Sequence, residues 1–226
     1  MSVDLTFYGH AAFAIDGVGT TLLIDPFFSN NPQASTSADE VKADYIIVTH
    51  GHSDHIGDSV AIAQRTGATI ISNAEICKYC EAQGCKVHAL HIGGGYDFSF
   101  GRVKLTIAHH GSPLPDGSYG GNPAGVLVTI DSRKIYHAGD TGLFYDMKLI
   151  GEEGVDVAIL PIGDNYTIGP TDALRAVKLI DPLVVIPIHY DTFDVIRQDP
   201  QEFATKVSVE TRAQCVILQP GGSFSL

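Results

Sequence analysis

The stretch from Ala43 to Asp58, ADYIIVTHGHSDHIGD, constrains this chain more than any other. Residues Ala43 to Thr49 are mostly apolar and β-branched, as in a buried strand. That strand breaks off into His50, His52, Asp54 and His55, four metal-competent side chains within six positions. Side chains alternate along an extended segment, so His50 and His52 project to the same side, and Asp54 and His55 follow as the chain turns toward a helix near Asp58. One cation can take the first pair and a second cation the last pair. Imidazole with carboxylate suits zinc first, with manganese, iron and nickel as alternatives. Three of the chain's 10 histidines fall inside this hexapeptide, and a chance histidine-rich surface loop is a poor account of that.

Length and charge narrow the setting. A chain of 226 residues, 44% hydrophobic, suits one domain spanning 1–226 better than two small ones. No apolar run approaches the ~20 residues of a membrane helix, and MSVDLTFYGHAAF lacks the pattern of a signal peptide. The expectation is a soluble, cytoplasmic protein acting on a small-molecule substrate, with no membrane partner and with self-association left open. A net charge of −12 argues against a nucleic-acid partner. It says little about the active site, where bound cations would offset acidic charge. Cys77, Cys80 and Cys85 fall together in CKYCEAQGC, but a tetrahedral site needs a fourth ligand and Cys215 stands far downstream. Three reduced thiols on a short helix are the simpler expectation.

Hydrophobic periodicity and turn residues order the rest. LTFYGHAAFAI and TTLLIDPF read as strands around a turn at Asp16 to Gly19, and Asp58 to Thr66 reads as a helix ended by Gly67. Ala68 to Ser72 is a strand and Ala74 to Gln83 a helix. Tyr96 to Phe100, Val103 to Ala108, Ala124 to Ile130 and Lys134 to Ala138 are strands. Helices are expected at Leu143 to Ile150, at Thr171 to Ile180 with Thr171 as its cap, and at Pro200 to Val209. The strands Val155 to Pro161, Leu183 to Ile188, Cys215 to Leu218 and Ser223 to Leu226 complete an α/β chain of two stacked sheets with helices outside.

The motif H-x-H-x-D-H after a strand resembles the signature of the metallo-β-lactamase superfamily, and IAHHGS, YHAGDT and IPIHYDTF follow it in the required order. The resemblance implies a metallo-β-lactamase fold, a four-layer αββα sandwich of two mixed β-sheets flanked by helices. It implies further metal ligands at His110, Asp140 and His189, with Asp140 as the bridge, and a supporting carboxylate at Asp25 in LLIDP. The motifs GHAAF, THGHSDHIGD, YHAGDTGLF, LPIGDNYTIGP and HYDTF are similar to those of small prokaryotic metal-dependent hydrolases near the ascorbate-6-phosphate lactonase branch. Asp191 stands where close relatives of that branch would be expected to carry Asn, so their substrate preference does not carry over.

Other residues have weaker claims. Adjacent strand residues point to opposite faces, so only one of His109 and His110 can reach the metals; the pattern H-G-S selects His110. His10 resembles the family's N-terminal Gly-His and is expected to line the pocket as a proton donor or substrate contact. His137 is either an outer partner of a ligand or a core histidine. His88 and His91 read as surface residues in an irregular stretch. Asp164, Asn165, Tyr166 and Thr167 offer substrate contacts or simply turn chemistry.

The function these readings imply is hydrolysis of a small ester, lactone or phosphoester by a hydroxide on a dinuclear metal centre. His50, His52 and His110 hold one ion, Asp54, His55 and His189 the other, and Asp140 lies between. Asp54 orients the water. The rivals are a diiron redox enzyme on the same fold, which would favour Glu where His52 stands and carry a fused flavin domain, a phosphodiesterase or nuclease, and a metal-binding module without turnover.

Overall fold

The polypeptide performs the same sequence of events twice: an antiparallel meander, then parallel strands joined through helices. A computed structural model describes residues 2–226. Its first half runs β1 (Asp4–Gly9), β2 (Ala12–Gly17), β3 (Thr20–Ile24), β4 (Tyr45–Ile47), α1 (Ser53–Ile56), α2 (Ser59–Thr66), β5 (Thr69–Asn73), α3 (Ala74–Glu81) and β6 (Lys86–Leu90). The second runs β7 (Gly95–Phe98), β8 (Gly101–Ile107), β9 (Ala124–Ile130), β10 (Arg133–His137), α4 (Met147–Gly151), β11 (Val157–Pro161), α5 (Pro170–Ile180), β12 (Val184–Ile188), α6 (Pro200–Glu210), β13 (Gln214–Cys215) and β14 (Ser223–Ser225). Two seven-stranded sheets result, ordered β14-β1-β2-β3-β4-β5-β6 and β13-β12-β11-β10-β9-β8-β7. In both, strands β3 to β6 and β10 to β13 are parallel and the others antiparallel.

Burial explains the layers. The inner faces meet through Leu5, Phe13, Ile15, Ile24, Ile47, Val126, Val128 and Ile159. Helices α2 and α3 cover the first sheet's outer face through Ile62 and Ile76, and α4, α5 and α6 cover the second through Met147, Val177 and Phe203. Strands β11 (VAILP) and β12 (VVIPI) are buried at every position, as parallel strands covered on both faces should be. Each buried Val, Ile or Leu there contributes about 1.5 to 3 kcal/mol of hydrophobic stabilisation. This is the expected four-layer metallo-β-lactamase sandwich. Among the described residues no helix is long and apolar enough to cross a membrane.

Several local expectations need correction. LTFYGHAAFAI is two strands, because the chain reverses at His10 and Ala11 after a register irregularity between Phe7 and Gly9. The metal loop is extended at His52, as expected, and the turn that follows it is one helical turn, Ser53–Ile56. His88 lies on strand β6 and packs on Tyr96 and Phe98, with ring centroids 4.2 and 4.9 Å away, so this stretch is regular. Helix α5 starts at Pro170 behind Gly169, and Thr171 is already inside it. The cysteines are free, with Cys77, Cys80 and Cys85 buried in and just beyond α3. Burial pushes the Cys77 thiol up to about 11 and Cys80 to about 12, so both pack as neutral groups.

Candidate metal centre

The parallel strands of both sheets end at one rim of the sandwich, where ligand-binding loops of α/β folds gather. The first sheet delivers Asp25 after β3 and the His50 to His55 loop after β4; the second delivers His110 beyond β8, Asp140 beyond β10 and His189 directly after β12. The rim is stitched across the sheets by Ala124 N–H donating to the Thr49 carbonyl at 3.0 Å. Three non-glycine residues here adopt the left-handed region: His10 (φ 57°), Asp25 (φ 45°) and His189 (φ 55°). Such conformations cost about 1 to 3 kcal/mol each and persist where surrounding contacts enforce them, commonly at functional sites.

Two imidazole clusters form. In the open one, ligand atoms of His50, His52 and His110 lie within 4.8 Å of one another. His50 Nε2 and His52 Nδ1 are 3.0 Å apart. His50 is buried, whereas His110 retains 15% exposure, which puts this cluster at the mouth. In the deep cluster, His10, Asp54, His55 and His189 converge within the same 4.8 Å. His10 and His55 are fully buried and Asp54 keeps 29% exposure, so the carboxylate alone looks outward.

Asp140 sits between the clusters. Its Oδ2 is 3.4 Å from His110 Nε2, 3.2 Å from His189 Nε2 and 4.0 Å from His50 Nε2, and its Oδ1 is 3.3 Å from His55 Nε2. Burial alone would raise this carboxyl, but the imidazoles of His189 and His55 hold it well below the usual range. For His55, burial opposes charge, yet Asp140 and Asp25 hold its pKa well above that of a free histidine. A cation is therefore favoured at this spot even before a metal arrives.

The residues fit divalent metal. His10 Nε2, His55 Nε2, His189 Nε2 and Asp140 Oδ1 are buried with no hydrogen-bond partner in the protein, an uncommon density of orphaned polar atoms. Ligands about 2.1 Å from a tetrahedral ion lie about 3.4 Å apart, close to the separations above. The third convergent group, Asp25 with His50 and His55, is a support. Asp25 Oδ1 accepts from Thr49 N–H at 2.8 Å; Oδ2 accepts from the Thr49 hydroxyl at 2.6 Å and from His55 Nδ1 at 2.8 Å. Asp25 thus fixes the His55 tautomer and leaves Nε2 free for the cavity. The Thr49 oxygen, 3.0 Å from His50 Nδ1, does the same for His50.

Other contacts hold the loops. Ser112 Oγ accepts from Gly51 N–H and donates to the Gly120 carbonyl, each at 3.0 Å, locking the His110 loop onto the His50 loop. His137 touches no ligand side chain: Nε2 bonds the Ala11 carbonyl at 3.0 Å and Nδ1 accepts from Gly139 N–H at 3.1 Å. It ties the His10 turn to the Asp140 turn. At Gly139 (φ 59°) a Cβ would meet the Ala124 carbonyl at 2.9 Å, so the turn that aims Asp140 needs glycine.

His109 is exposed and packs edge-on against Phe144. Asp164 and Asn165 form an exposed left-handed turn. Asp191 accepts from Gln198 N–H at 3.0 Å and so braces its own loop. Sequence reasoning missed Gln33 and Thr192. Thr192 Oγ1 is 2.8 Å from His10 Nδ1 and donates to Gln33 Oε1 at 3.1 Å. Nothing in their local sequence marks them, since they meet across 159 positions.

Comparison with known proteins adds relatives to this geometry. The model of the Beta-lactamase superfamily domain matches residues 4–189. The chain is 50% identical to a UPF0173 metal-dependent hydrolase of Heliobacterium modesticaldum, over 99% of this chain and 98% of that one. It is 49% identical to another of Pelotomaculum thermopropionicum, over 99% and 100%. Among solved structures, Igni18, a metallo hydrolase from Ignicoccus hospitalis, superposes with a TM-score of 0.91 at 38% identity, over 100% of this chain and 99% of that one.

Proposed function

Because this chain belongs to the metallo-β-lactamase superfamily and is a metal-dependent hydrolase, we propose that it cleaves a small ester or lactone at a dinuclear centre. The observation that carries this reading is Asp140, a single buried carboxylate within 3.2 to 4.0 Å of imidazoles from both clusters. His50, His52 and His110 would hold one divalent ion, Asp54, His55 and His189 the other, with Asp140 shared. Zinc suits the imidazole-rich open cluster. Together the ions would supply an acidified water and a Lewis acid for the scissile carbonyl.

The chain's own groups do the rest. Burial opposes ionisation of Asp54, but contact with His10 and the charge of His55 hold its carboxyl well below the ordinary range, so it is an acceptor at neutral pH. Its exposed edge can take a hydrogen bond from the attacking water and aim it. Beside it opens a cavity of about 420 Å³ lined by Phe27, Ser29, Asn30, Ser53 and Phe193 along with Asp54 and Asp58. Aromatic walls with hydroxyl and amide groups suit an uncharged acyl substrate. Four free cysteines suit a reducing compartment, which supports the cytoplasm as its location.

The test is metal analysis of the purified protein, then turnover of the metal-loaded enzyme on lactone, ester, thioester, phosphodiester and β-lactam panels. Metal-dependent ester or lactone cleavage, lost in His52→Ala, is the expected result. Phosphodiester turnover alone would move the protein to the alternative substrate class, and flavin-coupled oxygen reduction would favour the redox rival.

A further inference from the structure

We infer that His10 is itself a metal ligand, which gives the deep ion five protein ligands (His10, Asp54, His55, His189 and Asp140) and makes that site one for a five- or six-coordinate transition metal. The inference rests on the dinuclear reading above and assigns its deep half.

Hydrogen-bond direction makes the case. Gln33 Nε2 donates to the Tyr190 carbonyl at 3.2 Å, which turns Gln33 Oε1 toward His10 N–H and the Thr192 hydroxyl, at 3.3 and 3.1 Å. An amide oxygen only accepts, so Thr192 spends its one proton on it. Thr192 Oγ1 is then an acceptor for His10, and the His10 proton resides on Nδ1, 2.8 Å away. Nε2 presents a lone pair to the cavity.

The groups around that lone pair are the remaining candidate ligands. Asp54 Oδ2, 3.4 Å away, is a carboxylate oxygen. The Nδ1 of His55 bonds Asp25, so Nε2 is the ring atom left to face a cation. The His189 ring lies tilted over His10 with centroids 4.0 Å apart. Four ligand atoms lie within 4.8 Å, three of them on fully or almost fully buried imidazoles with no protein partner for Nε2, and a cation among them would satisfy all four. The His10 ring has no freedom to avoid the role. It is wedged between Phe27 and Phe193, at 5.7 and 5.6 Å, and its carbonyl accepts from His189 N–H at 2.8 Å.

The two ions are then unequal. The open one has three imidazoles and a share of Asp140, a set that leaves positions for water and substrate. The deep one has three imidazoles and two carboxylates, a set that suits iron, manganese, cobalt or nickel better than tetrahedral zinc. His10 in this role holds no proton for a leaving group, so protonation falls to solvent at the mouth.

Cobalt(II) is the probe. The metal-free protein titrated with cobalt should bind two equivalents, one showing the weak visible bands of a five- or six-coordinate ion. In His10→Asn, a residue that tolerates φ 57° but is too short to reach, the deep equivalent should weaken by about tenfold or more, while the open equivalent holds. Unchanged deep affinity and spectrum in the folded variant overturns the inference. If the variant fails to fold, the wild-type cobalt complex decides by anomalous diffraction: an ion about 2.1 Å from His10 Nε2 supports the assignment, and one beyond bonding distance of it overturns it. Wild-type protein that takes up fewer than two equivalents sinks the dinuclear reading and this inference together, whereas loss of the His10 contact alone leaves the dinuclear reading standing.

Discussion

The open and deep clusters share Asp140, yet they are assembled by different means. His50 and His52 of the open cluster come from one strand end, and His110 joins through a single serine clamp, Ser112. The deep cluster draws on the β1–β2 turn, the α1 turn and the end of β12, and its hydrogen bonds reach Asp25, Gln33 and Thr192. The open cluster keeps partial exposure at His52 and His110, while His10, His55 and His189 are sealed. One half is accessible and locally made; the other is buried and depends on the whole chain being folded. This difference separates a half that one loop largely supplies from a half where the fold and a bound metal would stabilise each other.

The comparison is broken most severely by removing what the two clusters share. Asp140→Asn should lower kcat/KM on the responsive ester or lactone by about a thousandfold, about 4 kcal/mol of transition-state stabilisation, and weaken both ions in metal titrations. If one ion were unaffected, Asp140 would belong to a single cluster. Asp25→Asn sharpens the contrast. By loosening His55 it should cost about 10- to 100-fold in affinity for the deep ion in competition titrations, with a smaller loss at the open ion through Thr49.

Proton competition comes next. Burial and the neighbouring His189 lower the His10 pKa to about 4 from 6.5, and burial lowers His50, His52 and His110 in the same direction. Between those two values the unfolded chain binds protons that the native metal-free protein does not, so stability must fall as pH drops from 6.5 to 4. Urea denaturation of the metal-free protein across that range should show it, and a flat profile would contradict the burial of these rings. The smallest effect belongs to the open side. Ser112→Ala leaves Gly51 N–H unpaired and should cost about 1 to 3 kcal/mol in urea unfolding, with little change at the deep ion.

Legibility in the sequence follows the same division. Ligands within a few positions of each other, from His50 to His55, announce themselves, and so do strands such as VAILP and VVIPI, whose burial on both faces leaves no alternation to misread. His110, Asp140 and His189 are isolated residues whose meeting depends on sheet order, so resemblance to a family was needed to pick them out. The reversal at His10 was invisible because Gly9, Ala11 and Ala12 extend a strand pattern, and the turn is enforced from outside by His189 and Gln33. Strand β6 was missed for a related reason: it lies at a sheet edge, where half-burial of KVHAL gives no clean period. The role of His137 was also hidden, since both its partners are backbone groups, at Ala11 and Gly139.

The central claim is that two ions share Asp140 at the meeting point of the two clusters. Anomalous diffraction from crystals grown with the metal-loaded protein tests it directly. The account predicts two peaks about 3.5 to 4 Å apart, one against His50, His52 and His110, the other against Asp54, His55 and His189, each in reach of Asp140. A single peak, or an ion held by Asp25, His50 and His55 with Asp140 uninvolved, would contradict it.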